Sequence, residues 1–305
     1  MIKIGQSIHP TWVNGDLSKL GEELRQFKEA GADCCELVLH GLDVVIGTRI
    51  IDSRQEAVIK VLREYDMEYT LHMPHGLNLL DSDNQAEYLD IFRSSIEFAR
   101  AAGIKLINYH AGMRRTDDKK SPGDKKKTDA QTKQNPKVLI QNEMEQIKSL
   151  AKDAPDILFC IENALFGKSP EVISVANNTA SIIEFCQQVG LPNFKLTFDI
   201  GHSFLFNSGE KTALLEDMER LLPYIGHIHL HDNCGTWKEM RFGDGGHRLV
   251  LGAGDIHLPL GWGKLPFNDT LALLKDYSGI INLEIEQRFS SHYGECIAVV
   301  RGHFG

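Results

Sequence analysis

The 305-residue sequence has no Cys-x-x-Cys pair, and its six cysteines, Cys34, Cys35, Cys160, Cys186, Cys234 and Cys296, are scattered along it. That dilution excludes a disulfide framework and a thiolate zinc knuckle, and leaves reduced thiols acting as small apolar side chains. No apolar run approaches the roughly 18 residues a membrane helix needs, so no membrane partner is expected. A charged leader with an apolar core and a cleavage site is also missing, because Met1-Ile2-Lys3-Ile4-Gly5 already reads as a strand; a cytoplasmic protein is expected. Basic charge is in deficit, with a formal net charge of -9, which excludes a broad face for gripping nucleic acid though not a local basic patch. Neither Gly-x-Gly-x-x-Gly after the first strand nor Gly-x-x-x-x-Gly-Lys-Ser/Thr occurs, which weakens a nucleotide-binding Rossmann reading.

What is present is a regular alternation. Short β-branched runs are followed by longer segments whose apolar residues recur every three or four positions, the pattern of a parallel sheet with crossover helices. Eight strands are expected, at Ile4 to Ser7, Cys35 to Leu39, Tyr69 to His72, Leu106 to His110, Leu158 to Glu162, Lys195 to Asp199, Gly226 to His229 and Ile280 to Glu284. Leu17, Leu20, Leu24 and Phe27 form one helical stripe behind an Asp16 cap, and Leu89, Phe92, Ile96 and Ala99 form another. Gly31, Gly103, Gly190, Gly226 and Gly279 stand between helices and strands, where left-handed caps would turn the chain back. The length fits either two ordinary domains or one large barrel, and eight successive βα units predict an α/β fold, a single-domain (β/α)8 TIM barrel over residues 1–305, with a doubly wound sheet as the runner-up. Residues 114–137 break the pattern: they are polar, Lys-rich and carry Pro122-Gly123. They are expected to form an insertion loop after strand four, either solvated or a lid that brings Lys119, Lys120, Lys125, Lys126 and Lys127 to an anionic substrate.

In such a barrel the active site lies where strands end. Here those ends carry metal-ligand residue types: His72 and His75 on strand three, His110 on strand four, Glu162 on strand five, Asp199 and His202 on strand six, and His227, His229 and His231 on strand seven. Asp255 and His257 follow in a loop, and Glu284 and Glu286 close strand eight. One such residue is ordinarily a solvated polar group. So many imidazoles and carboxylates converging on one mouth would resist desolvation without cations, so a divalent metal site is expected, and an oxygen and nitrogen donor set suits zinc or manganese.

On His72-Met73-Pro74-His75-Gly76-Leu77-Asn78-Leu79, Tyr109-His110-Ala111-Gly112, Ile161-Glu162-Asn163, Phe198-Asp199-Ile200-Gly201-His202, Asp255-Ile256-His257 and Gly261-Trp262-Gly263, the sequence resembles the xylose isomerase-like TIM-barrel superfamily (AP endonuclease family 2), and within it endonuclease IV. The sugar isomerase and epimerase branch implies one metal held by Glu162, Glu284, Asp199 and His229. The endonuclease IV branch implies up to three zinc ions, one on His72, His110 and Glu162, a second on Glu162, Asp199, His229 and Glu284, and a third on His202, Asp255 and His257. Glu286 could exchange with Glu284, and His231 with His229, because each pair shares a strand face. The ligand set matches endonuclease IV more closely than the DNA-binding loops do: His75 stands where that family has an aromatic wedge, and His231-Asp232-Asn233 replaces its Asn-Asp-Ser.

The first expectation is a metal-dependent phosphoesterase that cleaves a phosphodiester with a metal-bridging hydroxide, its substrate abasic DNA or a small phosphodiester such as a corrinoid nucleotide loop. The alternative is a sugar or sugar-phosphate isomerase or epimerase in which Glu162 and Glu284 act as acid and base. A non-catalytic binding barrel is the third reading. His75, His231, Arg248 and Trp262 are the candidate substrate contacts, with Arg241 a further phosphate clamp; His9 and His40 are read as polar rim. No obligate protein partner is implied.

Overall fold

Alternation along each strand sends one set of side chains into the barrel and the other against the helices. In the computed structural model, which describes residues 2–115, 135–163, 172–237 and 245–305, eight strands carry this pattern: β1 (Lys3–Ser7), β2 (Cys34–Val38), β3 (Glu68–His72), β4 (Leu106–His110), β5 (Leu158–Glu162), β6 (Phe194–Asp199), β7 (Ile225–Leu230) and β8 (Ile280–Leu283). They pair in parallel in chain order, and β8 closes on β1 with Lys3 opposite Ile280 and Gln6 opposite Leu283. The fold is the expected (β/α)8 barrel, and its strands fall within a residue or so of the expected positions. No helix among the described residues is long and apolar enough to cross a membrane.

The outward set, including Leu37, Leu71, Ile107, Tyr109, Phe159, Ile161, Phe198, Ile228 and Leu283, builds the apolar layer between sheet and helices. The helix Leu17–Glu29 covers it with Leu20, Leu24 and Phe27, and Asp16 caps it by accepting from the backbone N–H of Ser18 and Lys19. Leu17 and the Gln85–Ala102 stripe behave as the periodicity predicts, Phe92, Ile96 and Ala99 being buried. The inward set is polar instead of the branched apolar filling usual in this architecture. Ser7, Glu36, Thr70, His72, Asn108, Glu162, Thr197, Asp199, His227, His229 and Asn282 are all buried there.

Gly31, Gly103 and Gly190 take the expected left-handed backbone, whereas Gly226 and Gly279 do not. Gly226 is inside β7, where a Cβ would meet the Lys195 side chain at 2.6 Å, so close packing rather than a turn requires it. Of the expected 114–137 insertion, Arg114–Arg115 pair antiparallel with Val172–Ile173, and a helix already starts at Pro136. Residues 116–134, with the five lysines, and Arg241 lie outside the described residues.

Two buried contacts set the loops of the mouth. After β4, the backbone N–H of Gly112 donates to Glu143 Oε1 at 2.7 Å, from the helix Pro136–Asp153, while Glu143 Oε2 has no partner. After β6, Asp199 Oδ1 accepts from the N–H of His202 at 2.7 Å and starts the helix Ile200–Phe206. A Cβ on Gly201 would overlap the ring of His231, so the Asp-Ile-Gly-His run needs its glycine for close approach.

Burial, opposed by the Gly112 N–H, pushes the Glu143 carboxyl from 4.5 up to about 7. Between those values the folded chain holds a proton that the unfolded chain has released, so stability falls as pH rises through the window. Glu143→Gln is expected to remove that slope, on the order of 3 kcal/mol, as urea unfolding at about pH 4.5 and about pH 8 would measure; parallel pH dependences in wild type and variant would refute the assignment. Gly201→Ala is expected to cost about 1–3 kcal/mol by overpacking and to turn the His231 ring. A melting temperature and metal content equal to wild type would contradict it.

Candidate active site

The C-terminal ends of β3 to β8 bring ten of the sequence-selected residues into one cluster. At its centre is Glu162, almost wholly buried. Its Oε2 accepts from Asn108 Nδ2 at 2.6 Å and lies 3.3 Å from His72 Nε2 and 3.5 Å from His110 Nε2. Its Oε1 lies 3.2 Å from His202 Nδ1 and 3.5 Å from His229 Nδ1. The same His229 nitrogen is 3.4 Å from Glu284 Oε1 and 3.9 Å from Asp199 Oδ2.

A second group forms the rim. His257 Nε2 and Asp255 Oδ2 are 2.7 Å apart, and His231 Nε2 is 3.2 Å from Asp255 Oδ1 and 3.5 Å from Asp199 Oδ1. His231 and His257 stack with ring centroids 4.1 Å apart. His257 holds a left-handed backbone, φ 43°, uncommon for a residue with a Cβ. It is fixed there by its Nδ1 against the Glu284 carbonyl at 2.6 Å and by the Glu286 N–H on its own carbonyl. Strain kept in place by several contacts is common at functional sites.

The electrostatics follow from burial against pairing. Burial would raise the Glu162 carboxyl, but His110 and His229 hold it well below the usual carboxylate range. Asp255 is held down against burial by His257 and His231, and His257 is pushed up to about 10, Asp255 overcoming the burial of the ring. Glu284 moves the other way: burial raises it, despite the nearby His229 and His257. Two carboxyls of one cluster are thus driven in opposite directions.

Whether these donors suit a cation is tested by the atoms they leave over. Asp199 Oδ2, His229 Nδ1, His231 Nε2 and Asp255 Oδ1 are buried and make no directed hydrogen bond, although charged neighbours lie 3.2 to 3.9 Å away. Buried polar atoms are ordinarily paired, and unpaired ones aimed at one another are what a ligand shell presents. Ligand atoms of His72, His110 and Glu162, of Glu162, Asp199 and His229, of Asp199, His202 and His231, and of His231, Asp255 and His257 each lie within 4.8 Å of one another. The residues fit divalent metal.

The structure places the members of the two pairs left open by strand parity differently. Glu284 faces the cluster and Glu286 is exposed; His229 faces the centre, and His231 joins the rim group. His75 is exposed at the mouth, edge-on to His40 and His72 and stacked on His110. With Asn78, Met113, Asn163 and Ser174 it lines a cavity of about 200 Å³ that reaches Glu162 and His202. Trp262, 54% exposed, packs on Phe289 and His292, and its loop is anchored by the Asp232 carboxylate, which accepts from the N–H groups of Gly261, Gly263 and Leu265. Arg248 is exposed on the short helix Gly245–Leu251. His9 is occupied on both ring nitrogens, by Glu23 and by the Ile285 carbonyl, and clips a helix to the barrel. Sequence reasoning missed Glu36, which sits one layer below the centre with its oxygens 2.9 Å from His229 Nε2 and 3.0 Å from His227 Nε2. The signal was its parity with Ser7 and Thr70, in the middle of an apolar strand.

Comparison with known proteins places this geometry. The chain is 28% identical over 242 residues to an uncharacterized protein of Methanocaldococcus jannaschii, covering 78% of each. Among solved structures it is similar to a D-tagatose 3-epimerase-like protein (TM-score 0.70, 20% identity, 99% of this chain and 97% of that one). It is also similar to the D-allulose 3-epimerase of Methylomonas sp. (TM-score 0.68, 16% identity, 99% and 98%). At these identities the likeness is one of fold. Several of the similar solved structures are sugar epimerases, and this counts against the expected phosphodiester-cleaving activity and for the alternative isomerase or epimerase expectation. Closeness to endonuclease IV within the superfamily gains no support from them. The family model described as xylose isomerase-like TIM barrel matches residues 24–295, most of the chain, and with the closed eight-stranded barrel this establishes that the chain belongs to the xylose isomerase-like TIM barrel family.

Proposed function

We propose that the protein is a metal-dependent sugar or sugar-phosphate isomerase or epimerase. The observation that carries this reading is that Glu162 and Glu284 flank the same His229 nitrogen, at 3.5 and 3.4 Å, with their carboxyls pushed in opposite directions. A proton transfer beside a carbonyl requires two carboxyls, one to take the proton and one to return it, and the surroundings of these two move them in opposite directions. That several of the similar solved structures are sugar epimerases supports it.

Glu162, Asp199, His229 and Glu284 would hold the cation, which when bound supplies positive charge to two neighbouring sugar oxygens. Glu162, ionised, takes the proton from the carbon beside the carbonyl. Glu284 returns one to the opposite face for epimerisation, or to the neighbouring carbon for isomerisation, in which the hydroxyl proton passes to the former carbonyl oxygen. Asn108 holds Glu162 in place through its 2.6 Å hydrogen bond. His75, Asn78 and Ser174 offer donors and acceptors to hydroxyl groups in the adjoining cavity. The rim group of His231, Asp255 and His257 offers a second cation position, and zinc or manganese suits both donor sets.

Incubating the metal-loaded protein in deuterium oxide with a panel of ketoses, aldoses and their phosphates is expected to place deuterium at the carbon next to the carbonyl. Glu162→Gln should lower that exchange by at least about a hundredfold. A loaded protein that exchanges no sugar in the panel would sink the reading. Elemental analysis of protein purified without chelators is expected to give more than one ion per chain, and about one fewer in His257→Ala. A count of one, indifferent to His257, would remove the second position.

A further inference from the structure

We propose that Glu36 is a positioning residue for the candidate metal centre: by facing Nε2 of His229 it fixes which nitrogen of that ring is left to bind a cation. The inference rests on the reading of the Glu162, Asp199, His229 and Glu284 group as a metal site. Glu36 lies in the middle of β2 and has no exposure to solvent. Its Oε2 accepts from His227 Nε2 at 3.0 Å and from Thr70 Oγ1 at 3.1 Å. Its Oε1 lies 2.9 Å from His229 Nε2, close enough for charge pairing although the N–H does not point squarely at the oxygen, and 3.5 Å from Ser7 Oγ.

A buried carboxylate is expensive, and apolar side chains fill this layer in most barrels of the kind, so packing alone gives no reason for a glutamate. A reason appears in what it faces. An imidazole presents one nitrogen to a cation while the other carries a proton, and a carboxylate on the protonated side selects the tautomer, orients the ring and makes the free nitrogen more basic. With Nε2 turned to Glu36, Nδ1 is the atom directed at Glu162, Glu284 and Asp199. Ser7 extends the support, because it contacts both Glu36 and Glu284 Oε1 and accepts from Asn282 Nδ2 at 2.7 Å. One carboxylate below the centre thus bears on a ligand from β7 and, through Ser7, on one that follows β8.

Glu36→Gln tests this, since an amide cannot accept from both histidines. Cobalt(II) titrated into metal-stripped wild-type protein and variant is expected to bind roughly 10- to 100-fold more weakly to the variant, with a shifted visible absorption band. A merely structural role would change the melting temperature and leave affinity and spectrum alone. Histidine-selective 15N spectra of zinc-loaded wild-type protein give a second readout that needs no variant: a proton on Nε2 of His229 with Nδ1 coordinated is expected, and the opposite tautomer would overturn the proposal. Equal cobalt affinity in wild type and Glu36→Gln would overturn this inference alone. A wild-type protein that takes up neither cobalt nor zinc would overturn the metal site together with it.

Discussion

Burying Glu162 in the centre of a closed barrel is the constraint around which the site is arranged. A carboxylate removed from water has to be matched by donors and positive charge close at hand. Here the match comes from separate strands: Asn108 and His110 from β4, His72 from β3, His229 from β7, and His202 from the helix that follows β6. None of these partners is a neighbour of Glu162 in sequence. The charge balance of the site therefore exists only when the barrel is closed, and closing the barrel brings together the groups that would hold a cation.

Strand alternation lets one set of short segments do two jobs. Outward residues such as Leu37, Ile107, Phe159 and Ile281 belong to the apolar layer under the helices, which supplies the hydrophobic stabilisation. Freed from that task, the inward residues form polar layers: Glu36, His227, Thr70 and Asn282 below, and Glu162, Asp199, His229 and Glu284 above. The lower layer is more than filler, because Ser7 and Glu36 contact members of the upper one. Shifting any strand by one residue would exchange the two sets, putting carboxylates against the helices and leucines in the mouth.

The barrel and its strand ends could be read from the sequence because both depend on local patterns. Period-two and period-three-to-four alternation placed the elements, and His, Asp and Glu at strand termini marked the mouth. Glu36 escaped for a physical reason: attention to strand ends favours residues that reach the mouth, while a mid-strand glutamate between Cys35 and Leu37 reads as an isolated polar residue until its partner across the barrel, His227, is known. The choices between His229 and His231, and between Glu284 and Glu286, were beyond parity, since each pair shares a face. In the fold the members of each pair part where the strands stop. β7 ends at Leu230, and the Asp232 carboxylate then gathers the Gly261-Trp262-Gly263 loop, so that His231 turns toward Asp255 and Asp199 instead of the centre. The activity was read too far because a complete ligand set was taken to fix the chemistry.

A ligand set does not do so. The same imidazoles and carboxylates can serve hydrolysis or proton transfer, and what separates these is the protonation demanded of the groups that touch the substrate. Proton transfer between faces of a carbon needs one carboxyl to take a proton and another to return one. Glu284 is raised because its burial outweighs its histidines, and Glu162 is lowered because more imidazoles surround it. That asymmetry arises from the unequal number of partners the two strands provide. In a barrel whose scaffold is shared with sugar epimerases, it is the pair of carboxyls on either side of His229 Nδ1, more than the identity of the ligands, that directs the reading toward moving a proton.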